Sequence, residues 1–144
     1  MTTPEENKAR VRSAFDEFIN KQNLDVVPEY VAPNFVGHYP GFPLVEGAEG
    51  FRQFLSKYNT AFSNNQVTIE DIIAEGDRVA LRLTFRATHT GEFAGIPPTG
   101  KQIQLTAINF FHIVDGKAVE QWANQDDIGL LQQLGVMPPP PGGS

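Results

Sequence analysis

The sequence has no cysteine and only three histidines among its 144 residues. Without a thiol, the chain has no disulfide bonds, thiolate metal ligands or cysteine nucleophiles. The histidines lack the i, i+4 spacing of a helical metal site, so they make a poor ligand set. The segment Gly41–Gly47 lacks the lysine and the strand-to-helix context of a phosphate-binding loop. We therefore expect neither a metal site nor a nucleotide site.

Positive charge is also scarce. Eleven Lys and Arg residues stand against 17 Asp and Glu residues, and the net charge is −6. The basic residues are scattered singly, so they form no surface for nucleic acid or for an anionic membrane. No apolar run approaches the length of a membrane span, and residues 1–7 lack the basic and apolar regions of a targeting signal. We expect a cytoplasmic protein that binds neither nucleic acid nor membrane.

The length is typical of one domain. We assign residues 1–137 to that domain. Residues 138–144 form a tail rich in proline and glycine, which we expect to be disordered.

Helical patterns dominate the first half of the chain. Thr3 and Pro4, followed by two glutamates, are typical of a helix start. An apolar stripe that includes Val11 and Phe18 predicts the helix that follows. Further helical segments are predicted at 25–31 and 48–59.

The second half alternates with a period of two, which predicts strands. The clearest run is Val79–His89, within a strand predicted at 78–89, where apolar residues and a final histidine share one face. Further strands are predicted at 67–74, 101–114 and 117–124, with turns at Gly76 and Gly116.

This order of elements predicts an α+β fold. Three N-terminal helices would pack on a strongly curved antiparallel sheet, which forms an open cone with an internal pocket. His89, at the end of an apolar row, suggests that the covered space is not completely filled. The opposite face of that strand carries Arg82, Thr84 and Arg86, and it is amphipathic enough to pair with a second copy.

Several motifs resemble one family. The sequence resembles the SnoaL-like polyketide ester cyclases of the nuclear-transport-factor-two-like superfamily over about residues 5–136. The motifs are Phe35-Val36-Gly37-His38, the stretch from Thr88 to Gly100 with its Gly95-Ile96-Pro97-Pro98-Thr99-Gly100 core, Val114-Asp115-Gly116-Lys117, Glu120-Gln121-Trp122, and Asp126 ahead of Leu131-Gln132-Gln133-Leu134-Gly135.

The resemblance implies a cofactor-free enzyme that binds a small apolar carbonyl or polyketide-like ligand in the cone. The reaction would be an aldol-type cyclisation or related lyase or isomerase chemistry. A proton between two carbonyls is already acidic, so one positioned carboxylate suffices as general acid/base. The family aspartate, nine residues before Gly135, corresponds to Asp126. Relatives commonly form homodimers through the outer sheet face, and the same is expected here.

Asp126 also stands out from its position alone. It falls on the same strand face as Trp122 if no bulge intervenes, and an apolar setting would raise the basicity of a carboxylate. The alternative is that Asp126 or Asp127 caps the helical turn after Ile128. With the resemblance, we assign Asp126 as the base and Asp127 as the cap.

Asn109 and His89 are the other catalytic candidates. Asn109 is in phase with an otherwise apolar row, so its amide must bind a buried group or a ligand. Cyclases can carry a histidine at this position, and this chain does not. His89 matches a histidine of the family motif and would donate to an enolate, or alternatively serve as a structural donor. His112 is out of phase and is expected at the surface.

The predicted pocket wall is aromatic. Most aromatic residues are equally consistent with an ordinary core, and His38 with a loop role. The residues assigned to substrate binding are Phe15, His38, Phe51, Tyr58, Phe111 and Trp122.

Two other functions fit the predicted fold. One is a noncatalytic small-molecule-binding or dimerisation module, because fold does not decide function. The other is an epoxide-hydrolase-like hydrolase, which needs an Asp-Arg-Asp arrangement to activate water. Arg82 and Arg86 lie in the outward phase, which counts against a hydrolase.

Overall fold

The computed structural model describes residues 2–142. Over this part of the chain it has four α-helices and a six-stranded sheet. The helices are α1 (Pro4–Phe15), α2 (Val27–Tyr30), α3 (Gly47–Ala61) and α4 (Asp127–Gln133). The strands are β1 (Val31–His38), β2 (Val45–Glu46), β3 (Phe62–Glu75), β4 (Arg78–His89), β5 (Gln102–Val114) and β6 (Lys117–Gln125).

Helix α1 begins where the sequence indicates. The Thr3 hydroxyl accepts a hydrogen bond from the Glu6 amide, and the Glu6 carboxylate accepts one from the Thr3 amide. This reciprocal capping satisfies two amides that would otherwise lack partners. A π-helical turn, Asp16–Asn20, follows α1 and buries Phe18.

The sheet is mixed, with the order β2-β1-β6-β5-β4-β3. Strands β3 to β6 form the predicted antiparallel meander. Strand β1 pairs in parallel with β6, so the prediction of a purely antiparallel sheet is wrong at this edge. The reason is that α3 and the four strands β2 to β5 separate β1 from β6 along the chain, and a connection of that length allows β1 to run in the same direction as β6.

The predicted inward rows are confirmed. Val79, Leu81 and the alternate residues that follow on β4 are buried, as are Leu105 and Ile113 on β5. Together with the helices these rows form the hydrophobic core on the concave side of the sheet. The α+β cone predicted from the sequence is therefore confirmed.

A bulge in β6 determines which of its residues face the core. Ala118 is opposite Ile113 and Glu120 is opposite His112, so Val119 is an extra residue on β6. One extra residue reverses the alternation of all side chains beyond it. As a result Gln121, Ala123 and Gln125 face the concave side, whereas Glu120, Trp122 and Asn124 face outward.

The C-terminal segment follows α4. Residues 138–142 form neither helix nor strand and are exposed, and residues 143 and 144 of the predicted tail lie outside the described residues. Among residues 2–142, none of the helices has the length and apolar composition needed to cross a membrane.

Candidate active site

A cavity of about 160 Å³ lies between the helices and the concave face of the sheet. Its wall is mostly apolar and draws on α1, the π-helical turn, α3 and the inward rows of β4, β5 and β6. An engineered cavity of similar size accommodates one benzene-sized ring. The space predicted under the helices is therefore present and open to a small ligand.

Four of the predicted substrate-binding residues lie in this wall: Phe15, Phe51, Tyr58 and Phe111. The Phe15 and Phe111 rings meet edge to face at 6.1 Å between centroids. This geometry fixes the rings relative to each other. Their contact with a ligand stays a prediction.

His38 and Trp122 lie on the outer face of the sheet, so their predicted place in the cavity wall is wrong. Their rings stack at 5.3 Å, and His38 Nε2 is 2.6 Å from Glu120 Oε2. The bulge at Val119 is the reason, because it turns Trp122 outward. His38 pairs with Trp122 across the β1–β6 ladder and faces the same side.

Three buried polar side chains form a hydrogen-bonded ladder in the cavity wall. The Tyr39 hydroxyl donates to Gln121 Oε1 at 2.6 Å. Gln121 Nε2 in turn donates to Asn109 Oδ1 at 2.6 Å. All three residues line the cavity. Burial raises the pKa of the Tyr39 hydroxyl, so it remains protonated and able to donate.

Asn109 therefore lies where a catalytic or binding residue was predicted. Tyr39 and Gln121 were not identified from the sequence. Gln121 was missed because the unbroken alternation of β6 places it on the outer face. The register shift in the β5–β6 hairpin could not be predicted, because a single sequence carries no strong signal for a bulge.

His89 is fully buried, but it lies outside the cavity wall. Its Nδ1 accepts a hydrogen bond from the Thr99 amide at 3.2 Å and is 3.0 Å from the Thr99 hydroxyl. The accepting Nδ1 places the ring hydrogen on Nε2. Backbone bonds from the His89 amide to Lys101 and from the Gly100 amide to His89 close the same loop. These contacts hold the loop 90–100 on the sheet. His89 therefore lies away from the cavity, and its expected position beside a substrate oxygen is wrong.

Asp126 caps α4. Its Oδ1 accepts a hydrogen bond from the Gly129 amide at 2.9 Å, and its side chain is exposed and outside the cavity wall. The predicted placement of the two side chains, with Asp126 facing the pocket and Asp127 as the cap, is therefore wrong, and a catalytic role for Asp126 stays a prediction. Asp126 follows the outward residues Trp122 and Asn124, so its carboxylate starts on the outer face of the sheet.

Asp127 is the carboxylate bonded to the cavity wall. Its Oδ1 accepts from Gln125 Nε2 at 2.7 Å, and the same Nε2 donates to the Tyr58 hydroxyl at 3.1 Å. Gln125 and Tyr58 both line the cavity, and Asp127 itself is half-buried. The pKa of Tyr58 is raised by burial and, to a smaller extent, by the Asp127 charge, while the Gln125 bond acts in the opposite direction.

Within residues 2–142, no carboxylate or imidazole lines the cavity, and the charged lining residue is Arg10. Its guanidinium donates to the backbone oxygens of Gly116 and Glu29 and lies 4.8 Å from the Tyr30 ring centroid. The same part of the chain has no group of three His, Asp or Glu residues arranged to hold a metal ion. The cavity can thus accept an apolar ring and bind a polar atom through amide groups.

The comparisons with known proteins point to one family. Residues 9–134 match the SnoaL-like polyketide cyclase family. The aklanonic acid methyl ester cyclase AcmA of Streptomyces galilaeus is 30% identical over 135 residues, which cover 90% of this chain and 91% of AcmA. The aklanonic acid methyl ester cyclase DnrD of Streptomyces peucetius is 32% identical over 80% of this chain and 78% of DnrD.

A solved structure shows the same fold. AclR from Streptomyces galilaeus, named as a candidate hydroxylase, superposes with a TM-score of 0.85 at 32% identity, covering 96% of this chain and 87% of AclR. The matched residues extend from α1 to the end of α4. The chain belongs to the SnoaL-like polyketide cyclase family and is a cyclase-type enzyme.

Proposed function

We propose that the protein catalyses the cofactor-free ring closure of a small apolar carbonyl or ester compound bound in the cavity. Related lyase or isomerase chemistry would begin with the same removal of a proton next to a carbonyl. The observation that carries the proposal is the Asn109 amide, which is held by Gln121 in a wall that is otherwise mostly apolar. An apolar wall binds the carbon skeleton, and the amide binds its oxygen.

The proposed reaction is an intramolecular aldol addition. A base removes the proton between two carbonyls, and the resulting enolate carbon forms a bond with a ketone carbon of the same molecule. The ketone oxygen gains the electron pair and takes up a proton, so no oxidant or reductant is needed. A donor to the enolate oxygen stabilises the charge that develops in the first step.

We assign the proton transfer to an aspartate at the junction of β6 and α4. Asp127 is the better placed of the two, because it is bonded to Gln125 in the cavity wall. A general base acts directly or through one water molecule. A catalytic role for Asp126 stays a prediction from the family resemblance.

The test is turnover of aklanonic acid methyl ester and of single-ring aromatic β-keto methyl esters by the Asp127→Asn and Asp126→Asn variants. Loss of a general base typically lowers turnover by about 10²–10⁴-fold. We expect that loss for Asp127→Asn and a near wild-type rate for Asp126→Asn. Asparagine also caps helices well, so Asp126→Asn isolates the chemistry of the carboxylate from its capping role. The opposite pattern would assign the base to Asp126.

A second candidate function is a noncatalytic binding module, and one observation favours it. No carboxylate or imidazole among the described residues lines the cavity, so the wall itself lacks the side chains that most often act as general bases. Binding of these esters without turnover by the wild type would support this function. The epoxide-hydrolase alternative has no such support, because Arg82 pairs with Asp71 at 2.7 Å on the exposed face.

A further inference from the structure

We propose that Tyr39 and Gln121 fix the orientation of the Asn109 amide, so that the cavity presents an N–H donor and selects ligands with a carbonyl or enolate oxygen. This inference deepens the proposed function by naming the type of ligand atom that the cavity recognises. Asn109 contacts the ligand, and Tyr39 and Gln121 are positioning residues.

The three residues of the ladder are shielded from bulk solvent. The exposed fractions are 8% for Tyr39, 5% for Gln121 and 4% for Asn109. Bulk water therefore has little access to these groups, and their hydrogen bonds are made within the ladder or towards the cavity. A mismatched donor or acceptor at such a site therefore weakens ligand binding.

The Tyr39 hydroxyl determines the direction in which the hydrogen bonds of the ladder run. An amide ladder can in principle run either way, since turning Gln121 and Asn109 over exchanges their donors and acceptors. In the reversed ladder, Gln121 would donate to Tyr39, and the phenolic hydrogen would need another acceptor. Among residues 2–142, the Tyr39 hydroxyl has no other hydrogen-bond partner than Gln121. The reversed ladder leaves a buried hydrogen unpaired, so the observed direction is favoured.

The ladder ends at the Asn109 side chain, which faces the cavity. Asn109 Oδ1 is occupied by Gln121, whereas Asn109 Nδ2 has no hydrogen-bond partner among the described residues. Since Asn109 lines the cavity, its Nδ2 is the group offered to a ligand. A carbonyl oxygen matches this donor, and an N–H group does not.

The position of Tyr39 is itself fixed by its neighbours. Its ring stacks on Phe54 at 4.3 Å between centroids, with an interplanar angle of 8°. Its hydroxyl lies over Gly37, where a β-carbon would approach to 2.6 Å. A residue with a side chain at position 37 would displace the hydroxyl, and this explains the glycine opposite Gln121 in the parallel β1–β6 pair.

The test compares two bicyclic probes of similar shape, 1-indanone and indole. The first presents only an acceptor, and the second presents only an N–H donor. Their dissociation constants are measured by isothermal titration calorimetry. We expect the wild type to favour 1-indanone by about fivefold or more, because one mismatched buried hydrogen bond changes a dissociation constant by about fivefold to 150-fold.

Two variants should change this ratio in a stated direction. In Tyr39→Phe, either orientation leaves one Gln121 atom unpaired, so the preference should fall towards equal binding. In Gln121→Glu, measured at alkaline pH so that the carboxyl is ionised, the carboxylate accepts from both neighbours, so Asn109 turns its oxygen to the cavity and indole should become the favoured probe. The two variants test the same ladder by independent changes, so one that fails to fold leaves the other as the test.

Tyr30→Phe is the matched control, because Tyr30 also lines the cavity but its hydroxyl pairs with Ser13 at 2.7 Å outside the ladder. Its probe ratio should equal that of the wild type. The proposal is overturned if the folded ladder variants retain the wild-type ratio, or if Tyr30→Phe changes it equally. Normal turnover by both aspartate variants would reject the proposed base and leave this binding result intact.

Discussion

At the scale of single residues, two adjacent aspartates have different surroundings. Asp126 is exposed and caps α4, whereas Asp127 is half-buried and bonded to the cavity wall through Gln125. Successive side chains near the end of a strand point to opposite faces, so neighbours in sequence reach different environments. The family motif therefore identifies the junction of β6 and α4, but it does not distinguish which of the two carboxylates faces the cavity.

The capping role of Asp126 leads to a stability prediction that involves Gly129. A β-carbon at Gly129 would overlap Asp126 Oδ2, so Gly129→Ala must displace the cap. Loss of the cap costs about 1 kcal/mol, and replacing glycine by alanine in a helix gains about 1 kcal/mol. We expect Asp126→Ala to lower the free energy of unfolding by about 1 kcal/mol and Gly129→Ala alone to change it little.

The second expectation concerns the double variant. Once Asp126 is alanine, Gly129→Ala should stabilise the protein by about 1 kcal/mol, because no carboxylate remains to be displaced. Urea denaturation of the four proteins measures this coupling. If Gly129→Ala changed the free energy of unfolding equally with Asp126 and with Ala at position 126, the predicted clash between residue 129 and Asp126 would be contradicted.

At the scale of structural elements, the bulge in β6 decides which side chains form the cavity wall. Val119 is the extra residue, so its removal should leave Gln121 facing inward and Trp122 facing outward. Removal of Ala123, beyond the bulge, should instead turn Asn124 inward and Gln125 outward. A polar side chain buried without a partner costs about 1–3 kcal/mol.

We therefore expect the protein without Val119 to unfold at a urea concentration close to that of the wild type, with tryptophan emission unchanged. The protein without Ala123 should unfold at a lower concentration. If the two deletions lower the urea concentration of unfolding equally, the bulge does not determine which side chains of β6 face the cavity.

The elements themselves could be predicted well from the sequence. Strand β4 matches its predicted bounds, and the cap at Thr3 marks the start of α1, because both features depend on local patterns. The pairing of β1 with β6 depends on contacts between distant parts of the chain. Local periodicity does not contain that information.

The candidate site was predictable to the extent that it followed an unbroken pattern. Asn109 lies in a regular strand, and its inward position follows from its phase. Trp122 and Gln121 lie beyond the bulge, where the same reasoning assigns each to the wrong face. One inserted residue thus accounts for the exchanged positions of Trp122 and Gln121.

At the scale of the whole molecule, the outer face of the sheet predicts a homodimer. This face carries Arg82 and the apolar side chains Ile108 and Phe110, which are largely exposed in the single chain. Paired apolar side chains would remove this surface from water. Light scattering at micromolar concentration should give about twice the chain mass of 15.9 kDa.

Ile108→Lys should shift that mass to the monomer, because it places a charge in the predicted contact. Ile128→Lys is the control, since Ile128 on α4 is 59% exposed and Ile108 is 61% exposed. A monomeric wild type, or equal effects of the two variants, would reject the dimer.

The composition of the cavity wall has a consequence for how the protein responds to acidity. Burial raises the pKa of the Tyr39 and Tyr58 hydroxyls in the described wall, so both stay uncharged in mildly alkaline solution, and no carboxylate or imidazole lies among the described lining residues. A neutral ligand should therefore enter and leave equally well in mildly acidic and mildly alkaline solution. Any bell-shaped dependence of the reaction rate on pH would report the acidity of the substrate itself, or of a carboxylate behind the wall.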